Sequence, residues 1–282
     1  CYNVSMKKSI LIVVIMILVA STLIFTGCGG AAPFQKKIGN NAPWIGNNDK
    51  VETNVYDVES KQGDSVIKGE YTFSIEYLHD TDVTVDSKTL TKFVGYRMKS
   101  QLTMENGDNI QTEILCQTTM RPMIAKSKST IGGVEKSYIA EYGKKSVDYT
   151  LVKDGKSSDG SIKIKDYFTS PFADNTMMYM LARCLTSSLP GFTIAVPSFD
   201  NNTTNNVVCG IQTVKKDENK MDVLGQTYEF TLVELAYNRT FPGRGEPLRC
   251  YISNAPIEGT LRPILKIVEG GTTYTLKSTK TA

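Results

Sequence analysis

Residues Gly69-Glu70-Tyr71-Thr72-Phe73-Ser74-Ile75-Glu76-Tyr77 alternate strictly between apolar and polar side chains. A period of two puts Tyr71, Phe73, Ile75 and Tyr77 on one face of an extended strand and Glu70, Thr72, Ser74 and Glu76 on the other. One face is apolar and one is wet, so the strand is half buried. The pattern recurs at short spacing. Thr91–Thr103 turns at Glu105-Asn106-Gly107-Asp108, whose Asn-Gly pair suits a tight hairpin, and Ile110, Thr112, Ile114 and Cys116 share one face of the return strand. Met123–Thr130 turns at Gly132-Gly133 into Val134–Tyr142. Lys145–Val152 turns at Asp154-Gly155 into a segment ending at Ile164. Gly191–Pro197, Val207–Lys215, Met221–Leu224, Gln226–Tyr237, Leu248–Ser253, Ile264–Glu269 and Thr272–Ser278 continue the series, with the run Asn201–Asn206 expected as a loop. Repeated short strands with such turns predict an antiparallel meander.

One segment breaks the period. Asp174-Asn175 can cap a helix in which Met177, Met178, Leu181, Cys184 and Leu185 recur at helical spacing, and Leu189-Pro190-Gly191 ends it. Its expected role is to plug the open side of a curved sheet.

The N-terminal stretch Met6–Cys28 has a different logic. Lys7 and Lys8 follow a methionine, Ser9–Gly27 carries no charge, and the run closes on Phe25-Thr26-Gly27-Cys28. A positive region, an apolar core and small residues before a cut are the layout of a secretory signal. Cysteine directly after Thr-Gly resembles the bacterial lipoprotein signal, which implies Cys28 as the lipidated first residue of the mature chain. An uncleaved transmembrane anchor and an ordinary signal peptide are the alternatives. Each puts the bulk of the chain outside the cytoplasmic membrane. Cys1–Ser5 are expected to lie upstream of the true start at Met6. Residues 28–50, rich in Gly, Ala, Asn and Pro, read as a lipidated cysteine plus tether, and 51–282 as a single β domain.

Losing Lys7 and Lys8 brings the 32 basic residues to 30, against 29 acidic. A near-neutral domain lacks the basic stripe that nucleic acid demands, so none is expected as a partner. After Cys28 the cysteines are Cys116, Cys184, Cys209 and Cys250. They permit two disulfides in any of three pairings, or four buried thiols.

No catalytic constellation assembles. His79 is the only histidine, no G-x-S-x-G elbow presents a nucleophile, and histidine-rich metal sites are out of reach. Ser65-Val66-Ile67-Lys68 has the letters S-x-x-K, but a strand points i and i+3 to opposite faces. The Asp80, Asp82, Asp86 and Asp217, Asn219, Asp222 groups lack the glycine and twelfth-position glutamate of a calcium loop. No nucleotide fingerprint occurs, and no cofactor is expected.

Residues from Tyr167 to Ser278 resemble an uncharacterised family of bacterial envelope lipoproteins. Its layout is similar to that of the Lol-type lipoprotein carriers. The resemblance rests on the helix with Tyr179 and Arg183, on Gly225-Gln226-Thr227-Tyr228-Glu229-Phe230, on Leu248-Arg249-Cys250-Tyr251-Ile252-Ser253 and on Arg262-Pro263-Ile264-Leu265-Lys266. It implies a curved half-barrel with a hydrophobic groove, and no catalytic residues. The expected fold is therefore mainly β: a large curved antiparallel sheet, a half-barrel-like meander, with one covering helix near residues 175–187. The expected function is non-catalytic binding or carriage of a lipid, acyl chain or peptide. Tyr71, Phe73, Ile75, Tyr77, Met177, Met178 and Leu181 are candidates for the groove, and Arg239, Arg244 and Arg249 for its rim. A structural or protein-interaction module of the envelope is the alternative.

Overall fold

The structure, a computed structural model, describes residues 37–43, 50–164, 172–237 and 246–282. Its strands are β1 (Val51–Gln62), β2 (Ser65–Val85), β3 (Lys88–Met104), β4 (Asn109–Gln117), β5 (Pro122–Ile131), β6 (Val134–Tyr142), β7 (Ser146–Lys153) and β8 (Lys156–Lys163), followed by β9 (Gly191–Ser198), β10 (Thr203–Gln212), β11 (Lys220–Val223), β12 (Gln226–Tyr237), β13 (Leu248–Ser253), β14 (Ile264–Glu269) and β15 (Thr272–Thr281). The helix α1 spans Met178–Cys184, preceded by a 3-10 turn at Asn175–Met177.

From β8 back to β1 the strands lie in reverse chain order, and β15, β14, β13, β12, β10 and β9 continue the sheet beyond β1; β11 pairs with β12 alone. The ladders between successive strands are antiparallel, and the sheet nearly closes into a barrel with one seam, between β8 and β9. The antiparallel meander expected from the strand pattern thus curls further than the half-barrel that the resemblance implied. Register shifts at Val55/Tyr56, Leu115/Cys116 and Tyr251/Ile252 supply local bending and extra twist.

Side chains rather than a ladder hold the seam. Tyr138 and Tyr149, from β6 and β7, set their rings against Phe199, with centroids 4.6 and 4.7 Å away. The Tyr149 hydroxyl donates to the Phe199 carbonyl at 3.2 Å, and Lys136 pairs with Asp200. Below them, the buried carboxylate of Asp174 accepts from the hydroxyls of Tyr138, at 3.0 Å, and Tyr142.

The turns at 63–64, 105–108, 132–133, 154–155 and 270–271 gather at one barrel end, because alternate connections of a meander share an end. We call it the mouth. At the other end the lumen is filled. Here α1 runs down inside the barrel, and Met177, Met180, Leu181 and Cys184 are buried against inward-facing Tyr56, Phe73, Met98 and Ile114. The Arg183 guanidinium, 1 % exposed, pairs with Glu52 of β1 and donates to the Leu261 carbonyl at 2.6 Å. Asn54 donates to Glu52 at 2.7 Å and accepts from Thr279 at 2.7 Å, so the ion pair sits in a hydrogen-bonded network. Arg262 donates to the carbonyls of Arg183 and Leu185 and closes the helix C-terminus.

Two features depart from the sequence pattern. The β2–β3 hairpin outruns the barrel wall, and Asp80 and Lys92, both at positive φ, mark its bend. Beyond the bend, Val83, Val85 and Phe93 bury against Leu115 and Ile124, which point outward from β4 and β5. Lys126–Asp86 and Lys88–Glu141 ion pairs fasten this second, smaller core. The other departure lies in the stretch read as a tether, where residues 37–40 make a helical turn. Ile38 is fully buried in the main core, and Gly39 lies so close to the Thr118 carbonyl that a Cβ has no room. That part of the stretch belongs to the folded body, at the end opposite the mouth.

Candidate binding site in the barrel lumen

The inward face of the wall changes character along the barrel. Toward the closed end it carries Met98, Ile114, Cys116, Ala125 and Ala140, all buried. Toward the mouth, the same strands present Ser100 on β3, Thr112 on β4, and Ser127 and Ser129 on β5. These side chains are too short to reach the opposite wall. A cavity of about 360 Å³ remains above α1, within the range of small-molecule sites.

Three tyrosines continue the lining, with Tyr71 beside the hydroxyl wall and hydrogen-bonded to Ser100. Tyr71 of β2 packs edge-on against Tyr179 of α1 and Tyr274 of β15, with centroids 5.7 and 5.5 Å away. The Tyr179 hydroxyl donates to Glu269 at 3.4 Å. Burial, with the Glu269 carboxylate adding to it, pushes the Tyr274 hydroxyl up to about 12 and the Tyr179 hydroxyl well above its ordinary value. Both phenols therefore stay neutral near pH 7 and act as hydrogen-bonding tips on apolar rings. The remaining boundary comes from Asp174 and Thr176 at the start of the helical segment, and from Val196, Phe199 and Asn205 around β9 and β10.

Of the seven residues put forward for a groove, the structure places Tyr71 and Met178 on the cavity wall. Phe73, Ile75, Met177 and Leu181 lie deeper, each no more than 2 % exposed and packed in the core, and Tyr77 is half-buried against Tyr96. Arg249 lies on β13, half-exposed, with its guanidinium toward Glu234 and Glu246. Arg239, Arg244 and Cys28 lie outside the described residues. Asn205 escaped sequence reasoning because it stands in the Asn-rich run expected to be a loop; the structure starts β10 at Thr203, and Asn205, 6 % exposed, shares the inward face with Val207 and Cys209.

His79 is exposed near the Tyr77 ring. Among the described residues no group of three His, Cys, Asp or Glu side chains is placed to hold a metal ion. Cys116, Cys184, Cys209 and Cys250 are buried free thiols rather than disulfides. Burial pushes Cys184 and Cys209 up to about 12 and holds all four protonated.

These features define a class: an antiparallel, nearly closed β-barrel with an internal helix and a lumenal cavity, in which no feature of the described residues indicates catalysis. Among solved structures, the chain is similar to a β-barrel-like protein of a domain of unknown function, DUF1849, from Brucella abortus. The identity is 14 %, the TM-score is 0.46, and the match covers 83 % of this chain and 98 % of that one. No protein-family model matches the chain, and no curated protein matches it.

Proposed function

We propose that this chain is a non-catalytic binding protein that holds a small amphipathic ligand in the mouth half of its barrel, and that it works outside the cytoplasmic membrane, attached by a lipid on Cys28. One observation carries the binding reading: the lumen is packed solid around α1 and left open by short hydroxyl side chains above it. A barrel serving only as a scaffold gains stability from filling that space, since dispersion contacts are lost along every unfilled wall. The mixed lining of phenol rings with serine and threonine hydroxyls favours a ligand with an apolar body and a polar end. Met178, flexible and polarisable, lines the cavity on the helix side and adapts to varied shapes. The Met6–Cys28 stretch supports the anchor.

The test is to purify the full chain in mild detergent, denature it, and identify released small molecules by mass spectrometry. A stoichiometric amphipathic compound is the expected result. Its absence from a gently handled preparation overturns the reading.

A further inference from the structure

The two ends of the barrel carry opposite charge. Among the described residues, the turns and connections at the mouth hold six carboxylates, Asp64, Glu105, Asp108, Asp154, Asp200 and Glu246, and no cation. Counting the lysines on the strands beside those turns, Lys61, Lys68, Lys136, Lys153 and Lys156, still leaves the carboxylates in excess. The closed end has the other sign. Its segments 37–43, 118–121, 143–145 and 213–219, with Lys50 at the entry to β1, carry Lys37, Lys50, Arg121, Lys144, Lys145, Lys215 and Lys216. The acids of its connections are Asp217, Glu218 and Glu258, and the bend of the β2–β3 extension adds Asp80 and Asp82 against Lys92. Arg262 is turned inward onto the helix C-terminus. Eight bases thus stand against five acids at the closed end, outside Arg262.

Exposed apolar side chains do not choose between the ends. Val51, Leu224 and Leu261 protrude at the closed end, and Val66, Ile131 and Val134 beside the mouth turns. Charge and chain connection do choose. Buried Ile38, with Gly39 against the Thr118 carbonyl, fixes the N-terminal stretch to the closed end. Eight residues, 29–36, separate Cys28 from Lys37, and fully extended they reach about 30 Å. The strand β1 alone, 12 residues long, runs about 40 Å. A lipid on Cys28 therefore brings the closed end to a bilayer on a slack tether. The mouth reaches it only with the tether drawn taut along the tilted wall, at a cost in chain entropy. Clustered lysines are drawn to anionic lipid, and the attraction acts within a Debye length, a distance that the slack tether allows.

Resting on the proposal that Cys28 carries a lipid, we infer that the basic closed end docks on a phospholipid surface with anionic head groups and holds the acidic mouth away from it. A ligand then enters the lumen from the aqueous side rather than from the bilayer.

Hydrogen exchange on the full chain, reconstituted in phosphatidylcholine vesicles with and without phosphatidylglycerol, reads the footprint. With phosphatidylglycerol, exchange in 143–145 and 213–219 is expected to slow by roughly threefold or more, while the mouth turns 105–108 and 154–155 keep their rates. High salt shortens the Debye length and should erase the difference. Slowing at the mouth turns, or at neither end, overturns the inference.

A variant with Lys144→Glu, Lys145→Glu, Lys215→Glu and Lys216→Glu separates charge from attachment. The four side chains are exposed, so the melting temperature is expected to hold while the footprint disappears. A footprint that persists overturns the assignment to charge. Should the variant melt early, the comparison of lipids and of salt on the wild type still decides. Flotation with the vesicles reads the anchor by itself. A chain that stays in solution defeats the anchor reading and this inference with it, and a chain that floats without the footprint defeats this inference alone.

Discussion

Arg183 and Glu52, 131 positions apart in the chain, form a buried ion pair that ties the internal helix to the first strand at the closed end of the barrel. Each side chain is at most 3 % exposed, and Asn54, Leu261 and Thr279 extend the hydrogen bonding around them. The pair explains why α1 and β1 each bury a charge among the apolar residues of the closed end. It also fixes the height of α1, whose first residues, Met178 and Tyr179, form the floor of the cavity.

Breaking the pair from one side leaves a buried charge uncompensated. Arg183→Met is expected to destabilise the protein by about 3–5 kcal/mol in urea titrations. Replacing both partners, Arg183→Met with Glu52→Leu, is expected to recover most of that loss. A double variant as unstable as the single one contradicts this account of the pair.

The seam depends on Asp174. Removing its carboxylate in Asp174→Ala takes the acceptor from the buried Tyr142 hydroxyl and the cap from the Thr176 amide. A loss of about 2–4 kcal/mol is expected from hydrogen bonds to a charged group. Hydrogen exchange should quicken first in β8 and β9, the strands that flank the seam, and uniform quickening speaks against a side-chain-held seam.

Alkaline stability follows from the buried thiols. Cys184 and Cys209 have an ordinary value of 9.0 and sit at about 12 in the folded protein. Between those values the unfolded chain has released its thiol protons and the folded chain still holds them. The unfolded state then binds fewer protons, so stability falls as pH rises. It is expected to be unaffected by these groups below pH 9 and to drop through the window from 9 to about 12, each thiol taking away about 1.4 kcal/mol per pH unit. Cys209→Ala should lessen the slope in a pH series of urea melts.

The hairpin extension is a separate unit. Phe93→Ala empties the centre of the outer cluster and is expected to cost about 3–5 kcal/mol. Limited proteolysis should then cut between Asp80 and Lys92 while the barrel core resists. Resistance of the extension to cutting contradicts its dependence on that cluster.

Much of the fold was legible where local chemistry and tertiary demand agree. Leu248–Ser253 and Gln226–Tyr237 fold with those bounds, and the chain turns after Asn106 through Gly107 at positive φ, in a connection longer than the tight hairpin expected. β1 was not legible, because its inward positions begin with Glu52 and Asn54, polar residues whose partner Arg183 lies on a distant helix. Barrel closure was equally hidden: Phe199 and Asp200 meet β6 and β7 only once the sheet has curled. The cavity follows the same rule. Ser100, Thr112, Ser127 and Ser129 look like ordinary strand residues, and only their shared height across three strands makes them a wall. Asn205 was lost in a run whose composition favours loops.

The central claim is that the space above α1 is a ligand site. Native mass spectrometry of the full chain, wild type beside Ser127→Phe, tests it most directly, because a phenyl ring at position 127 occupies the cavity from the hydroxyl wall. The account predicts a non-covalent adduct on the wild type, lost on denaturation, and none on a folded Ser127→Phe variant. An adduct retained equally by both proteins, or absent from both, contradicts it.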